Sequence, residues 1–489
     1  MLLNELFENA PEIEIENITS DSRTKKKNSI FFCIKGMVFD GHKFYKQAIA
    51  NGAVVIVYSH SIDTNVENVV FIRVSNVVEA MGRVSDKFYY YPSKQMYMYG
   101  VTGTNGKSSI TSLIKQLLKN YRKCGYIGTI SIEYGDIKLP PLLTTPTVLD
   151  LQYYLAKMVE AKMDCCALEV SSIGIEQGRV SNIDFDIAIF TNLTHDHMDY
   201  HGSMTGYFNA KKQFFDSMKL DGVVITNVDD EYGLEIVKDT KAKVYTYGIN
   251  NEADFQAKDI DLQAKQTIFT LVCSDGEYRL KTNLVAKFNV YNLLATIAAL
   301  RLSGIEMNDI IANLDTLGKI EGRMHLIDEN QPFNIVVDFA HTPDGIEKVF
   351  QYASEITSPK NRIIAVFGSA GKRDLKKRVI FGELADKYCD MIILTEDDPR
   401  DEEVEDIANE IASGIKNKNY TIVLDRYNAI RLAIDIANRN DTILILGKGD
   451  EQFMYRVYGR EPYIGDHKAC IEILDKFYLQ EENEDEKTK

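Results

Sequence analysis

The chain has 489 residues, 45% hydrophobic and 26% charged, an ordinary globular composition that excludes a largely disordered, collagenous or fibrous protein. Its formal charge of -16, from 72 Asp plus Glu against 56 Lys plus Arg, makes it a poor general binder of nucleic acid or anionic lipid. At roughly 150 residues per domain, the length predicts about three domains. The apolar runs, such as AVVIVY at Ala53 and MIIL at Met391, fall far short of the ~20 residues of a membrane span. The acidic N-terminus, MLLNELFENAPEIEIEN, has no basic start and apolar stretch, so no secretory signal is expected. Seven Cys are scattered without metal spacing, and Cys165–Cys166 lie in an apolar run. Reduced, buried thiols and a cytoplasmic location are expected.

The first ~94 residues read as a small α/β unit. IFFCIKG, AVVIVYS and VVFIRVS are strand candidates. HKFYKQAIANGA reads as a helix closed by Gly52, and NVVEAMGRVSDKFYYYP as a helix ending before Pro92. From residue 95 to 318, strands alternate with helices: MYMYGVT, CCALEVS, IDFDIAIFTN and GVVITNV each lead into a loop and a helix pattern. That alternation predicts a mostly parallel sheet covered on both faces, a doubly wound nucleotide-binding domain. Residues 253–285 read instead as short antiparallel strands, followed by the helix KFNVYNLLATIAALRLSG. From 319 to 489, FNIVVDFA, RIIAVFGS, DMIILTED, YTIVLD and DTILILGKG predict a second, independent Rossmann-like domain. The charged tail LQEENEDEKTK is expected to fray.

The sharpest local signal is GVTGTNGKSS. A glycine-rich turn between strand and helix lets backbone N–H groups approach phosphates, with Lys107 reaching the terminal phosphates and Ser108 a Mg²⁺. The strict P-loop pattern wants glycine at Val101, and the run reads T-G-T-N-G-K-S instead. Glu169 ends an apolar strand, where such proteins place an acidic residue near the metal. TNLTHDHMDYHG packs three histidines and two aspartates into seven residues. Zinc suits those ligand types, but HxHxxxH lacks the usual i, i+4 helical pairing of its first two ligands, and a Mg²⁺-nucleotide role fits a loop beside a P-loop better. GYFNAKKQFF, taken alone, reads as a solvated helix with adjacent lysines.

In their order and spacing these runs resemble the Mur ligases. The resemblance extends over ITSDSR, GMVFDGHKF, LLTTPT, LEVSSIGIEQGRV, FNVYNLLA, EGRMHLID, VVDFAHTPDGIEKVF, FGSAGKRD, TEDDPRDEE and LGKGDE, nearly the whole chain. The first-domain runs are those of the branch that adds the third stem-peptide residue of peptidoglycan. The resemblance implies an ATP-dependent ligase that activates the D-Glu carboxylate of UDP-N-acetylmuramoyl-L-alanyl-D-glutamate as an acyl phosphate and joins it to a diamino acid. It implies ATP contacts at Thr102, Gly103, Thr104, Asn105, Gly106, Lys107, Ser108, Ser109, Asn289, Arg323, Asp338 and His341. Mg²⁺ is implied at Ser108, Glu169 and His197, and at Lys211, which matches a lysine that carries a carbamate (N6-carboxylysine). Lys107, His197 and Lys211 are the implied catalytic residues, and Lys212 the lysine beside the one that matters. Substrate contacts are implied at Ser20, Ser22, Thr144, Thr145, Ser171, Gln177 and Arg179. A monomer without nucleic-acid partners is expected.

The amino acid is implied to sit against Arg373, Asp397, Asp398, Pro399, Arg400, Gly447 and Glu451. In the family motif D-N-P-R, the arginine grips the distal carboxylate of meso-diaminopimelate. Here Asp398 replaces Asn, and Asp450 stands where histidine is usual in G-K-G-H-E. Both substitutions are expected to make the pocket more acidic, which favours an ammonium group, while Arg400 favours a carboxylate. Diaminopimelate is therefore slightly preferred over L-lysine. The alternatives are a P-loop ATPase or kinase, folylpolyglutamate synthase, and a non-catalytic muramyl-peptide binder. The first domain argues against the synthase. The intact Lys107, Glu169, His197 and Lys211 argue against decay.

Overall fold

The computed structural model describes residues 1–478 except Met37, Val38, Ala264, Lys319 and Glu321. The expected boundary at Lys319, parts of GMVFDGHKF and EGRMHLID, and the charged tail therefore lie outside the described residues. Three separate sheets carry the α/β architecture, and a short hairpin joins the last domain.

The first sheet is parallel and four-stranded: Asn17–Thr19, Ser29–Phe32, Ala53–Tyr58 and Val70–Arg73. The Asn17–Thr19 strand is not evident in the sequence because three residues carry too little alternation. Gly52, at φ +107, closes the Tyr45–Ala50 helix, and the Val77–Phe88 helix starts from an Asn76 cap.

The central sheet has eleven strands. Its middle is parallel, with Tyr97–Thr102 between Ile187–Phe190 and Cys165–Glu169. These strands read as continuous apolar runs because helices cover both faces. The antiparallel strands Phe255–Leu262, Thr267–Cys273 and Gly276–Thr282 extend one edge of the same sheet. The Lys287–Leu302 helix is apolar nearly all round and packs beside Lys107–Leu118.

The third sheet has six strands, with Asn334–Asp338, Thr442–Leu446, Ile363–Phe367 and Met391–Leu394 adjacent and parallel. An antiparallel edge strand, His325–Ile327, and the Phe453–Arg456/Gly459–Pro462 hairpin are additions to the sequence reading. Gly100 lies in the central sheet and Gly447 follows a strand of the third, so no single sheet spans them. All seven cysteines are free, and six are buried. No helix among the described residues is long and apolar enough to cross a membrane.

Candidate active site

Parallel strands end side by side, so the loops that follow them converge. Phe190 pairs with Thr102 and Glu169 with Val101, which brings GTNGK, EVSS and TNLTHDH to one edge. Gly106 has φ +88, and a Cβ there would approach Asn292 Oδ1 to 2.7 Å, so only glycine fits the turn. Thr191 Oγ1 donates to the Asn105 carbonyl at 2.6 Å, and the Asn105 N–H donates to Asn192 Oδ1 at 2.9 Å. Lys107 Nζ folds back to the carbonyls of Gly103 and Thr104, at 2.9 and 2.8 Å. Desolvation lowers its pKa, with Glu169 and Asp196 opposing.

Glu169 is fully buried and accepts from Ser108 Oγ (3.0 Å), Tyr126 Oη (2.8 Å) and Thr129 N–H (2.9 Å). His197 sits at φ +56, a strained conformation for a non-glycine residue. Burial lowers its pKa, and Asp196 opposes that. Asp196 went unassigned in the sequence. Burial works against its charge, yet His197, His341, Lys377 and Lys107 hold its pKa below the usual carboxylate value.

Lys211 and Lys212 have opposite surroundings. The Met204–Asp216 helix turns Lys211 inward: it is 1% exposed, donates to the Gly103 carbonyl at 3.0 Å and lies 4.6 Å from the Tyr207 ring centre. Burial, then the Lys107 charge, drive its pKa well below that of a free lysine. Lys212 is partly buried, and its ammonium pairs with the more exposed Asp216 and Asp239 at 2.7 and 2.6 Å. The solvated-helix reading of GYFNAKKQFF therefore fails for Lys211.

Thr145 Oγ1 donates to the Glu169 carbonyl at 2.8 Å and lies 3.0 Å from Ser171 Oγ, while Thr144 Oγ1 and Thr129 Oγ1 lie 3.1 Å apart. Arg179 donates to the Thr145 carbonyl at 2.7 Å and to Gln177 Oε1, so these five residues form one cluster beside the nucleotide loop. Ser20 and Ser22 stand apart. Ser20 is exposed, and Ser22 Oγ donates to Gln47 Oε1 at 2.8 Å.

A cavity of about 380 Å³ lies between the nucleotide loop and the third domain, lined by Gly106, Ser108, Ser109, Tyr291, Arg323 and Asp338 among others. Asn289 is buried just beneath, its side chain held by the Val285 carbonyl and Asn292. Arg323 Nη2 reaches Ser108 Oγ at 3.3 Å, and its guanidinium packs on Phe339. Asp338 accepts the N–H groups of Met324 and Ala340, both at 2.7 Å. His341 Nδ1 donates to the Phe339 carbonyl at 2.9 Å, and burial pushes its pKa down to about 4. Asn105 Nδ2 donates to Asp344 Oδ2 at 2.7 Å, a second bond across the domain junction. Asp344 and Lys377 were not legible in the sequence as site residues. Lys377 is buried, donates to the His341 carbonyl at 3.1 Å and faces Asp196.

The amino-acid motifs meet at the same edge of the third sheet. Arg373 Nη1 lies 3.5 Å from Asp199 across the junction. Gly447 has φ +112, and a Cβ there would meet Asp397 Oδ2 at 2.3 Å. Asp398 Oδ1 accepts from Lys448 Nζ at 2.8 Å and from the Tyr455 N–H at 2.9 Å. Lys448 also pairs with Glu451. Arg400 follows Pro399 at φ +58; its backbone N–H donates to the Tyr455 carbonyl at 2.9 Å. Arg400 has no ion pair among the described residues, and its Nε is buried without a partner. The expectation that both substitutions make the pocket more acidic is corrected for Asp450, which turns away and accepts the Gly322 N–H at 2.7 Å. Asp398 shares the single Lys448 ammonium with Glu451, so one cation faces two carboxylates there.

Three family models cover the chain: the Mur ligase family catalytic domain over residues 14–89, the Mur ligase middle domain over 101–300, and the Mur ligase glutamate ligase domain over 322–449. The chain is 38% identical over 462 residues to UDP-N-acetylmuramoyl-L-alanyl-D-glutamate--2,6-diaminopimelate ligase 1 of Clostridium acetobutylicum, covering 94% of each. It is 38% identical over 471 residues to the ligase of that type from Clostridioides difficile, covering 95% of this chain and 96% of the relative. A solved UDP-N-acetylmuramoyl-L-alanyl-D-glutamate--2,6-diaminopimelate ligase superposes with a TM-score of 0.68 at 29% identity, covering 97% of this chain and 99% of the other.

Proposed function

From the premise that the chain belongs to the Mur ligase family, we propose that it is an ATP-dependent ligase adding meso-diaminopimelate to UDP-N-acetylmuramoyl-L-alanyl-D-glutamate in peptidoglycan synthesis. The observation that carries the chemistry is Lys211, buried and 3.0 Å from the nucleotide-loop carbonyl of Gly103. A neutral amine adds CO₂ and releases a proton, replacing a would-be cation with a carbamate anion. The low pKa that burial gives Lys211 supplies that neutral amine.

The D-Glu carboxylate is a poor acyl donor until it takes the γ-phosphoryl group of ATP. Attack by the amine on the acyl phosphate then gives a tetrahedral intermediate that expels phosphate. Positioning and charge neutralisation dominate such phosphoryl transfer. We assign Thr102–Ser109 to the phosphates, with Lys107 swinging from its loop carbonyls to the terminal phosphates. We assign Asn289, Arg323, Asp338 and His341 to the nucleotide as well, Arg323 and Asp338 lining the cavity directly. The oxygen donors Ser108 and Glu169 suit a hard divalent cation, and with His197 and the Lys211 carbamate they would hold Mg²⁺. Mg²⁺ bound there would neutralise charge between the acyl carboxylate and the phosphates.

Thr144, Thr145, Ser171, Gln177 and Arg179 are assigned to the muramyl dipeptide, and Ser20 and Ser22 to its uridine end. Arg373, Asp397, Asp398, Pro399, Arg400, Gly447 and Glu451 are assigned to the diamino acid. Arg400, which has no ion pair among the described residues, is available for the distal carboxylate of meso-diaminopimelate, a group that L-lysine lacks. We place the domain breaks near residues 94 and 319, and a cytoplasmic, monomeric enzyme fits this reading. The test is mass spectrometry of the product formed when meso-diaminopimelate and L-lysine compete for UDP-N-acetylmuramoyl-L-alanyl-D-glutamate and ATP. Exclusive incorporation of lysine would overturn the assignment.

A further inference from the structure

Away from the nucleotide cavity, three ligand-bearing side chains from distant parts of the third domain face one another. They are His325 on the edge strand His325–Ile327, Asp450 in the loop after Thr442–Leu446, and His467 on the Asp466–Ile473 helix. One ligand atom from each lies within 4.8 Å of the others. We propose that these residues bind a single divalent transition ion of the Zn²⁺ type.

The donor set, two imidazoles and one carboxylate, matches borderline metals rather than Mg²⁺ or Ca²⁺, which prefer oxygen throughout. Three protein ligands leave a fourth tetrahedral position for water. The bonding of His325 is incomplete. His325 is 9% exposed, and its Nδ1 has no hydrogen-bond partner. The nearest Asp450 oxygen is 3.8 Å away, too far for a hydrogen bond. A buried polar atom left this way carries a desolvation cost that an ion would relieve. The His325 and His467 rings stack with centres 4.0 Å apart and planes 21° apart. Metal bonds of about 2.0–2.1 Å bring adjacent ligand atoms to roughly 3.4 Å, so binding needs a modest rotation of the side chains.

The position gives the ion a consequence. Asp450 Oδ2 accepts the Gly322 N–H at 2.7 Å, and Gly322 precedes Arg323, whose guanidinium reaches Ser108. An ion here would tie the edge strand, the Lys448–Glu451 loop and the Asp466–Ile473 helix to the segment joining the central and third domains.

The test uses the full chain, stripped with chelator and titrated with Co²⁺ in excess Mg²⁺, with Zn²⁺ as competitor. One Co²⁺ per chain should bind with the intense visible absorption of a tetrahedral site, and Zn²⁺ should displace it. Asp450→Asn and His467→Ala should each weaken Zn²⁺ binding by at least about 100-fold, the upper end of the loss from removing a mere outer-sphere partner. The pale spectrum of solvated Co²⁺ with the parent protein overturns the proposal. So does unchanged affinity in both variants, each checked for folding by circular dichroism. If neither variant folds, His325→Gln takes their place, and the parent's stoichiometry and spectrum still decide.

Discussion

The Asp398 carboxylate and the Lys448 ammonium form a 2.8 Å ion pair in which the lysine side chain is 1% exposed. Lys448 also pairs with Glu451, so one ammonium stands between two carboxylates of the proposed amino-acid pocket. An aspartate beside Arg400 would, if unpaired, neutralise the guanidinium. Held by Lys448 and by the Tyr455 N–H, Asp398 leaves Arg400 to the ligand.

Arg400→Ala should therefore lower kcat/KM for meso-diaminopimelate on the order of 100-fold or more, the loss expected when one partner of a desolvated charge pair is removed. Activity with L-lysine should change little. Lys448→Met should act in the same direction by releasing Asp398 toward Arg400. Steady-state kinetics with both amino acids check this, and equal losses for the two would refute it.

Lys107→Ala should reduce ligation by about 10³-fold, since removing one preorganised donor to developing phosphoryl charge costs on the order of 10²–10³. Coupled measurement of ADP release and peptide product reads the effect. Turnover near the parent's would place the nucleotide elsewhere.

Lys211→Ala should be nearly inactive, with partial recovery in a short carboxylic acid. Lys212→Ala should stay within a few-fold of the parent, because its pairs with Asp216 and Asp239 are at the surface. Labelling with ¹³C-bicarbonate should give a carbamate resonance in the parent and in Lys212→Ala, but not in Lys211→Ala. A resonance that survives in Lys211→Ala would be incompatible with the assignment.

His341 gives a pH dependence of stability. Its folded pKa is pushed down to about 4, against about 6.5 when unfolded, so the unfolded chain binds more protons between those values. Its contribution is fully present above pH ~6.5 and is lost as pH falls toward ~4, with a ceiling of about 3 kcal/mol that partial solvent access reduces. His341→Asn should show a flatter fall in melting temperature from pH 7 to 5 than the parent. Parallel curves would remove His341 as a source of the acid sensitivity.

Much of this protein was legible locally. A strand followed by GTNGKSS and a helix reads as a phosphate-binding turn because the signal lies within a dozen residues. Continuous apolar runs separated by helical patterns likewise predict buried parallel strands, as found in the central and third sheets. The short edge strands Asn17–Thr19 and His325–Ile327 escaped because their pairing partners, not their own three residues, define them. Side-chain direction and charge compensation also required the tertiary structure. Lys211 and Lys212 are adjacent in sequence, yet the helix buries one against Gly103 and turns the other to ion pairs with Asp216 and Asp239. Asp398 and Asp450 both read as acids added to one pocket. The fold gives the first a lysine 50 residues away and turns the second to a backbone N–H 128 residues away. An ionisable side chain's effect depends on its partners and its solvent, and both are brought to it by contacts that no local pattern encodes.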